Sequence, residues 1–281
     1  MTKAIFIILV FVPSVLIGCA GFDVGSIGRI AQQAFQASQP LSDEEEYYVG
    51  RAVAANVLST YPLLENKRLT EYVNLVGQTV AIHSDEPFTY GGYHFAILNT
   101  DEINAFACPG GIILITKGML NEVQNEDELA AVLAHEVAHI NHHDGISAIQ
   151  KSRLTGVATL IAAEAAKAYT PAEISQLVSL FEGSVEDVFK TLVVNGYGKS
   201  QEYDADESAH IYLSRAGYDP EALEAFLERI VSRGQGAGGG IMKTHPATQD
   251  RIGKVVEEMP PGKVDTSLVQ LRAERFDKIV K

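Results

Sequence analysis

His135 and His139 stand four residues apart with a glutamate between them, in the run His135-Glu136-Val137-Ala138-His139. On a helix, residues i and i+4 share one face, so both imidazoles reach a single cation, while Glu136, rotated by one residue, addresses a water beside it. The surrounding sequence supplies that helix. Leu129, Val132, Leu133, Val137 and Ile140 form its apolar stripe, and Asn125-x-x-Glu128 reads as a capping box at its start. Residue types and spacing together are those of a hydrolytic zinc helix. The plainer alternative, a helix with two surface histidines, fits poorly, because a chain of this length and composition carries about 0.02 such patterns by chance.

A hydrolytic zinc needs a third protein ligand and an open position. The run Glu202-Tyr203-Asp204-Ala205-Asp206 offers Glu202, with Asp206 one turn further along the same helix face. A carboxylate at Asp206 accepts the second N–H of a ligating histidine and fixes its tautomer. The bland reading of Glu202 is a solvated acidic helix start, which the helix dipole favours in any case. His83, His94 and His210 have no partner motif and read as structural or surface residues, and Cys108 reads as a small buried strand residue. His142 and His143 point one turn beyond the metal, so His143 reads as a helix-terminal hydrogen-bonding residue.

Taken in order, the motifs resemble a known family. Asn104-Ala105-Phe106-Ala107 with Pro109-Gly110-Gly111, His135-Glu136-x-x-His139 with His143, Glu202-x-x-x-Asp206, and His245-Pro246 with Arg251 are similar to the gluzincin metallopeptidase family of the CaaX prenyl proteases and HtpX-like proteases. Within it, the N-terminal helices fit the soluble periplasmic branch, the BepA-like lipoproteins. The resemblance implies one zinc per chain on His135, His139 and Glu202, with Glu136 as general base and Asp206 behind the ligands. It also implies that Asn104 lies on an edge strand holding the substrate backbone, and that His245 and Arg251 sit opposite the metal near the developing oxyanion. Residue 108 is cysteine where that motif usually has an apolar residue. Seven residues, Gly234 to Gly240, five of them glycine, give the chain before His245 high freedom, and Pro246 stiffens its far side. Swung in, the imidazole fills the fourth zinc position and closes the site; swung out, it donates to the oxyanion; a third reading has it merely pack beneath the loop.

The elements that must hold these residues predict an α+β fold, mainly helical, with a small edge β-sheet. Ser42-x-x-Glu45 is a capping box for a helix stopped at Tyr61-Pro62, and a second helix fits Arg68–His83. Short β-type runs at Tyr93–Leu98, Asn104–Ala107 and Gly111–Thr116 are separated by turn residues. Helices are expected over 125–142, 146–168, 172–195, 200–216 and 220–233.

The formal net charge of −14 excludes a phosphate-neutralising nucleic-acid binder, since the longest basic cluster is the pair Lys67–Arg68. No apolar run reaches the roughly 18 residues of a membrane-spanning helix. Residues 1–18, ending Leu16-Ile17-Gly18 before Cys19, read as a lipoprotein signal, with Cys19 lipidated. Residues 19–40 then form a lipid-anchored tether and 41–281 the metallopeptidase domain. Ala20 after the cysteine leans toward the outer membrane. The expected protein is a zinc endopeptidase of the bacterial periplasm, cleaving unfolded or misassembled envelope proteins, with the outer-membrane assembly machinery as a partner. Its rival is an envelope-protein chaperone or assembly adaptor whose zinc site is closed or mainly structural.

Overall fold

The computed structural model describes residues 41–147, 183, 185–232, 241–245, 251, 253 and 266–281. The signal segment, the tether, nearly all of the helix expected over 146–168, the first part of that expected over 172–195, and the glycine run at 234–240 lie outside the described residues. Helices α1 (Asp43–Thr60) and α2 (Lys67–Ala81) lead into strands β1 (His94–Leu98), β2 (Ala105–Cys108) and β3 (Ile112–Thr116). A short α3 (Lys117–Glu122), the long α4 (Glu126–Asn141) and a 3-10 turn at Asp144–Ile146 follow. Residues 185–190 are helical and pass into a π-helical turn, Thr191–Asn195. The chain continues through α5 (Lys199–Ala216), α6 (Ala222–Ser232), the single turn α7 (Ile241–Thr244) and α8 (Thr266–Val280).

Local chemistry sets most of these boundaries. Ser42 and Glu45 close the expected capping box on α1, and Asn66 caps α2 by accepting the Leu69 N–H. Asn125 caps α4 through the Glu128 N–H, but the Glu128 carboxylate accepts from Gln124 N rather than from the cap residue, so the expected box is only half made. Gly217, at φ 78°, turns the chain out of α5, a conformation glycine adopts without penalty.

The sheet runs in the order β1-β3-β2, with β1 and β3 parallel and β2 antiparallel to β3. Successive side chains of a strand point to opposite faces, and both faces here are covered. Ile113 and Ile115 enter a core with Val73, Val76, Leu133, Val137, Tyr212 and Phe226, while Leu114 enters a second core with Val53, Val57, Phe106 and Val188. Gly50 allows α1 to close on the β2–β3 turn, for a Cβ there would lie 1.7 Å from the Pro109 carbonyl oxygen.

Every residue of α4 is buried, and its first turn is held by three acids. Glu126 accepts from Tyr72 Oη at 2.9 Å and Arg275 Nε at 2.6 Å; Asp127 accepts from Arg272 Nε at 3.1 Å and from the Asp219 N–H at 2.8 Å; Glu128 accepts from Arg229 Nη1 at 2.7 Å. Carboxylates at a helix N-terminus also suit its dipole. Thus α6 and α8 fix the start of α4. With the Asp127 and Arg272 side chains only 9% and 7% exposed, Arg272→Met leaves a buried carboxylate short of its partner and is expected to cost about 3 kcal/mol. Equilibrium urea unfolding measures this; a loss below about 0.5 kcal/mol, the scatter of ordinary surface changes, contradicts the role given to α8.

Candidate active site

Helix α4 presents His135 and His139 one turn apart, α5 brings Glu202 against them, and His245 follows α7 directly. One ligand atom from each of the four lies within 4.8 Å of the others, and all four residues are buried. His135 Nε2 stands 3.1 Å from His139 Nε2 and 3.3 Å from His245 Nδ1; Glu202 Oε1 stands 3.0 Å from His245 Nδ1 and 3.5 Å from His139 Nε2. Four donors at about 2.0–2.1 Å from a tetrahedral zinc are separated by about 3.3–3.4 Å, so the donor set fits one such cation. Both carboxylate oxygens of Glu136 are buried and without a hydrogen-bond partner among the described residues. His245 Nε2 lies 3.6 Å from Glu136 Oε1.

The outer nitrogens of the imidazoles face carboxylates. His139 Nδ1 meets Asp144 Oδ2 at 2.7 Å, and Gln201 donates to the other Asp144 oxygen at 2.8 Å. Carboxylates only accept, so a neutral His139 carries its proton on Nδ1 and turns the Nε2 lone pair inward. His135 Nδ1 lies 3.0 Å from Asp206 Oδ1, close in charge terms though not aligned as a hydrogen bond. Burial works to lower the His135 pKa, but Asp206 and Glu202 more than reverse this and hold it at about 10. For Glu202, burial opposes ionisation, yet the surrounding histidines keep its carboxyl well below the usual range.

Arg251 is buried, with Nε and Nη2 on Asp206 at 2.7 and 2.6 Å and Nη1 on Glu202 at 2.5 Å. The structure thus directs these three nitrogens to the acids of α5. Asn104 is buried as well: its Oδ1 accepts from Ala105 N at 2.9 Å and from Thr244 Oγ1 at 3.0 Å, just ahead of β2 at the sheet edge. Its side chain therefore ties the edge to the turn carrying His245. Cys108 is buried in β2, and burial raises its thiol pKa. Cys19 lies outside the described residues. Sequence reasoning passed over Asp144 and Tyr197. A carboxylate five residues after His139 was a usable signal for the first; for Tyr197, whose ring lies 4.0 Å from that of His139, no spacing rule gave one.

Comparison with known proteins identifies the family. The family model for peptidase family M48 matches residues 67–259. The chain belongs to peptidase family M48. It is 28% identical over 233 residues to the beta-barrel assembly-enhancing protease of Escherichia coli (strain K12), covering 81% of this chain and 46% of that protein. It is also 26% identical over 256 residues to the metalloprotease LoiP of the same organism, covering 88% and 93%. The chain spans about half the length of the beta-barrel assembly-enhancing proteases it matches. Four elements within the matched residues meet here: the α4 helix, the α5 acids, the turn before His245 and, through Asn104 and Thr244, the β2 edge.

His143 closes α4 away from the donors, in the left-handed region at φ 54°. Its Nδ1 meets Glu46 Oε2 at 2.8 Å, and Glu46 also accepts the Gly110 N–H at 3.1 Å, so one buried acid of α1 links the metal helix to the β2–β3 turn. Hydrogen bonding to Glu46 raises the His143 pKa, burial opposes it, and Glu46, Glu86 and Asp43 add their charge, for a value of about 9. A folded-state pKa above the unfolded one gives stability that is complete below about pH 6.5 and lost as pH rises through about 9. The side chain is 48% exposed, so solvent limits the effect to under about 1 kcal/mol. His143→Gln should flatten the decline in urea stability between about pH 7 and 9.5; an unchanged decline contradicts this ion pair.

Proposed function

We propose that this M48 peptidase is a zinc-dependent endopeptidase of the bacterial envelope. The observation that carries the reading is Glu136, a fully buried carboxylate with neither oxygen partnered among the described residues, beside four convergent metal donors. A closed structural zinc site has no use for such a group. His135, His139 and Glu202 would hold the metal. Zinc bound there supplies Lewis-acid polarisation of the scissile carbonyl and a lowered pKa for water. Glu136 takes a proton from the attacking water and returns it to the leaving amine. Asp206, with Arg251 clamped on it, keeps His135 and Glu202 in place, and Arg251 adds positive charge near the reaction centre.

His245 stands within reach of both roles read from the sequence. Its Nδ1 is placed among the donors, which favours a resting site closed by the imidazole, and displacement of its turn frees the ring to donate to the oxyanion. That same placement favours the second reading, a chaperone or assembly adaptor with a shut zinc site. Asn104 supports substrate binding along β2 by fixing the strand end.

The envelope setting is supported by the Leu16-Ile17-Gly18-Cys19 ending, read as a lipid anchor at Cys19, and by the relative whose name is beta-barrel assembly-enhancing protease. No helix among the described residues is long and apolar enough to cross a membrane. We accordingly propose a periplasmic protein anchored to the outer membrane. Its substrates would be unfolded or misassembled envelope proteins, and the outer-membrane assembly machinery would be its partner.

Cleavage of a disordered protein such as casein separates the readings. Glu136→Gln is expected to keep zinc and fold while losing on the order of 10²–10⁴ in rate, and His245→Ala to raise the basal rate if the ring closes the resting site. A Gln variant within about three-fold of wild type would give the base role to another group. Absence of cleavage in wild type and His245→Ala alike, with zinc bound, would leave the adaptor reading.

A further inference from the structure

Tyr197 joins the two halves of the site. Gly196, at φ 75°, reverses the chain after the π-helical turn so closely that a Cβ would lie 2.5 Å from the Thr244 carbonyl oxygen. The Tyr197 N–H then donates to that same carbonyl at 3.1 Å, pinning the residue to the turn that carries His245. Its ring lies on the His139 imidazole, centroids 4.0 Å apart and planes 23° apart, and 5.7 Å from the His245 ring. The backbone is fixed by the residue before His245 and the ring by His139, and the residue is only 6% exposed.

The hydroxyl of this held ring is buried and has no hydrogen-bond partner among the described residues. The same is true of both Glu136 carboxylate oxygens, and Glu136 is the strongest charge acting on the phenol. Buried polar groups without partners are rare and call for an explanation. An orphan O–H donor and orphan acceptors, on two residues that both lie beside the His245 ring, are both satisfied by one polar guest with an acceptor and a donor, and a peptide unit has both. Packing alone would explain the ring but not its oxygen, because phenylalanine would stack on His139 equally well.

We propose that Tyr197 is a further catalytic residue: held flat on His139, it donates a hydrogen bond from its hydroxyl to the carbonyl oxygen of the peptide bond that Glu136 serves. The inference rests on the hydrolytic reading above. The O–H bond stays intact throughout, and the hydrogen bond strengthens as negative charge collects on that carbonyl oxygen. The His245 turn, which shares the Thr244 carbonyl contact, must shift for a peptide to reach the hydroxyl.

Tyr197→Phe keeps the ring and removes only the oxygen. Zinc affinity, measured by competition with a chelating dye, and the thermal transition of the zinc-loaded chain should match wild type. With one fixed disordered peptide, KM should stay within about three-fold while kcat falls on the order of 10²-fold, the effect of losing one oxyanion donor. Binding by calorimetry gives a readout free of turnover. A peptide phosphonamidate, whose anionic oxygen copies the developing charge, should bind the Phe variant at least about ten-fold more weakly, and the product peptide should bind both proteins equally. Equal phosphonamidate affinity, or kcat within about three-fold of wild type, overturns the assignment. A wild-type chain that takes zinc yet neither cleaves nor binds the phosphonamidate overturns the hydrolytic reading itself, and this inference with it.

Discussion

Burying Glu202 and Asp206 beside two imidazoles is the constraint from which the rest of the architecture follows. A carboxylate taken out of water costs several kcal/mol unless opposite charge and hydrogen bonds meet it. Here the two acids are each 1% exposed, and α4 and α5 pack against one another around them. Arg251 answers both at once, with Nε and Nη2 on Asp206 and Nη1 on Glu202. The histidines answer the remaining oxygens, and a cation at their inner nitrogens would complete the charge balance that the buried acids demand. Removing any one of these groups leaves another uncompensated in a dry interior.

Precision at the donors depends on α4 being unable to shift, and its two ends are held by different chemistry. Glu126, Asp127 and Glu128 lock the N-terminal turn to arginines of α6 and α8, while Asp144 and the His143–Glu46 pair hold the C-terminal end against α1 and α5. Between the ends, the apolar side chains of α4 fill the main core under the sheet. A metal ligand displaced by even 1 Å loses much of its value to catalysis, so these anchors far from the donors still bear on the chemistry. Among the described residues, the His245 turn is held by the Ile241 N–H on the Ile103 carbonyl, by Thr244 on Asn104, by Tyr197 on the Thr244 carbonyl, and by the His245 ring itself against Glu202.

Much of this was legible in the residues. The α4 stripe, its His-x-x-x-His spacing and the Glu202–Asp206 pair are local patterns with one helical solution, and the sheet's three β-type runs fell within a residue or two of β1, β2 and β3. What the sequence concealed is of another kind. Helix α8 went unexpected because its role lies in Arg272 and Arg275, which meet acids about 150 residues earlier in the chain. The short α3 follows β3 without a break, so Thr116 ends a strand and caps a helix at once. Tyr197 belongs to no helical or strand period, and its contact with His139 is created by the π-helical turn and Gly196. Arg251 was read from family resemblance as an oxyanion group; its position on two carboxylates depends on tertiary packing that no spacing encodes.

The central proposal is that His135, His139 and Glu202 hold one zinc, with the fourth position left to His245 or water. X-ray absorption at the zinc edge of the full chain, loaded with one equivalent, tests it most directly. The account predicts one zinc per chain with four nitrogen or oxygen donors at about 2.0–2.1 Å, at least two of them imidazoles, and loss of that signal in a His135→Ala/His139→Ala double variant. Less than half an equivalent bound, a sulfur donor in the spectrum, or an unchanged spectrum in the double variant would contradict it.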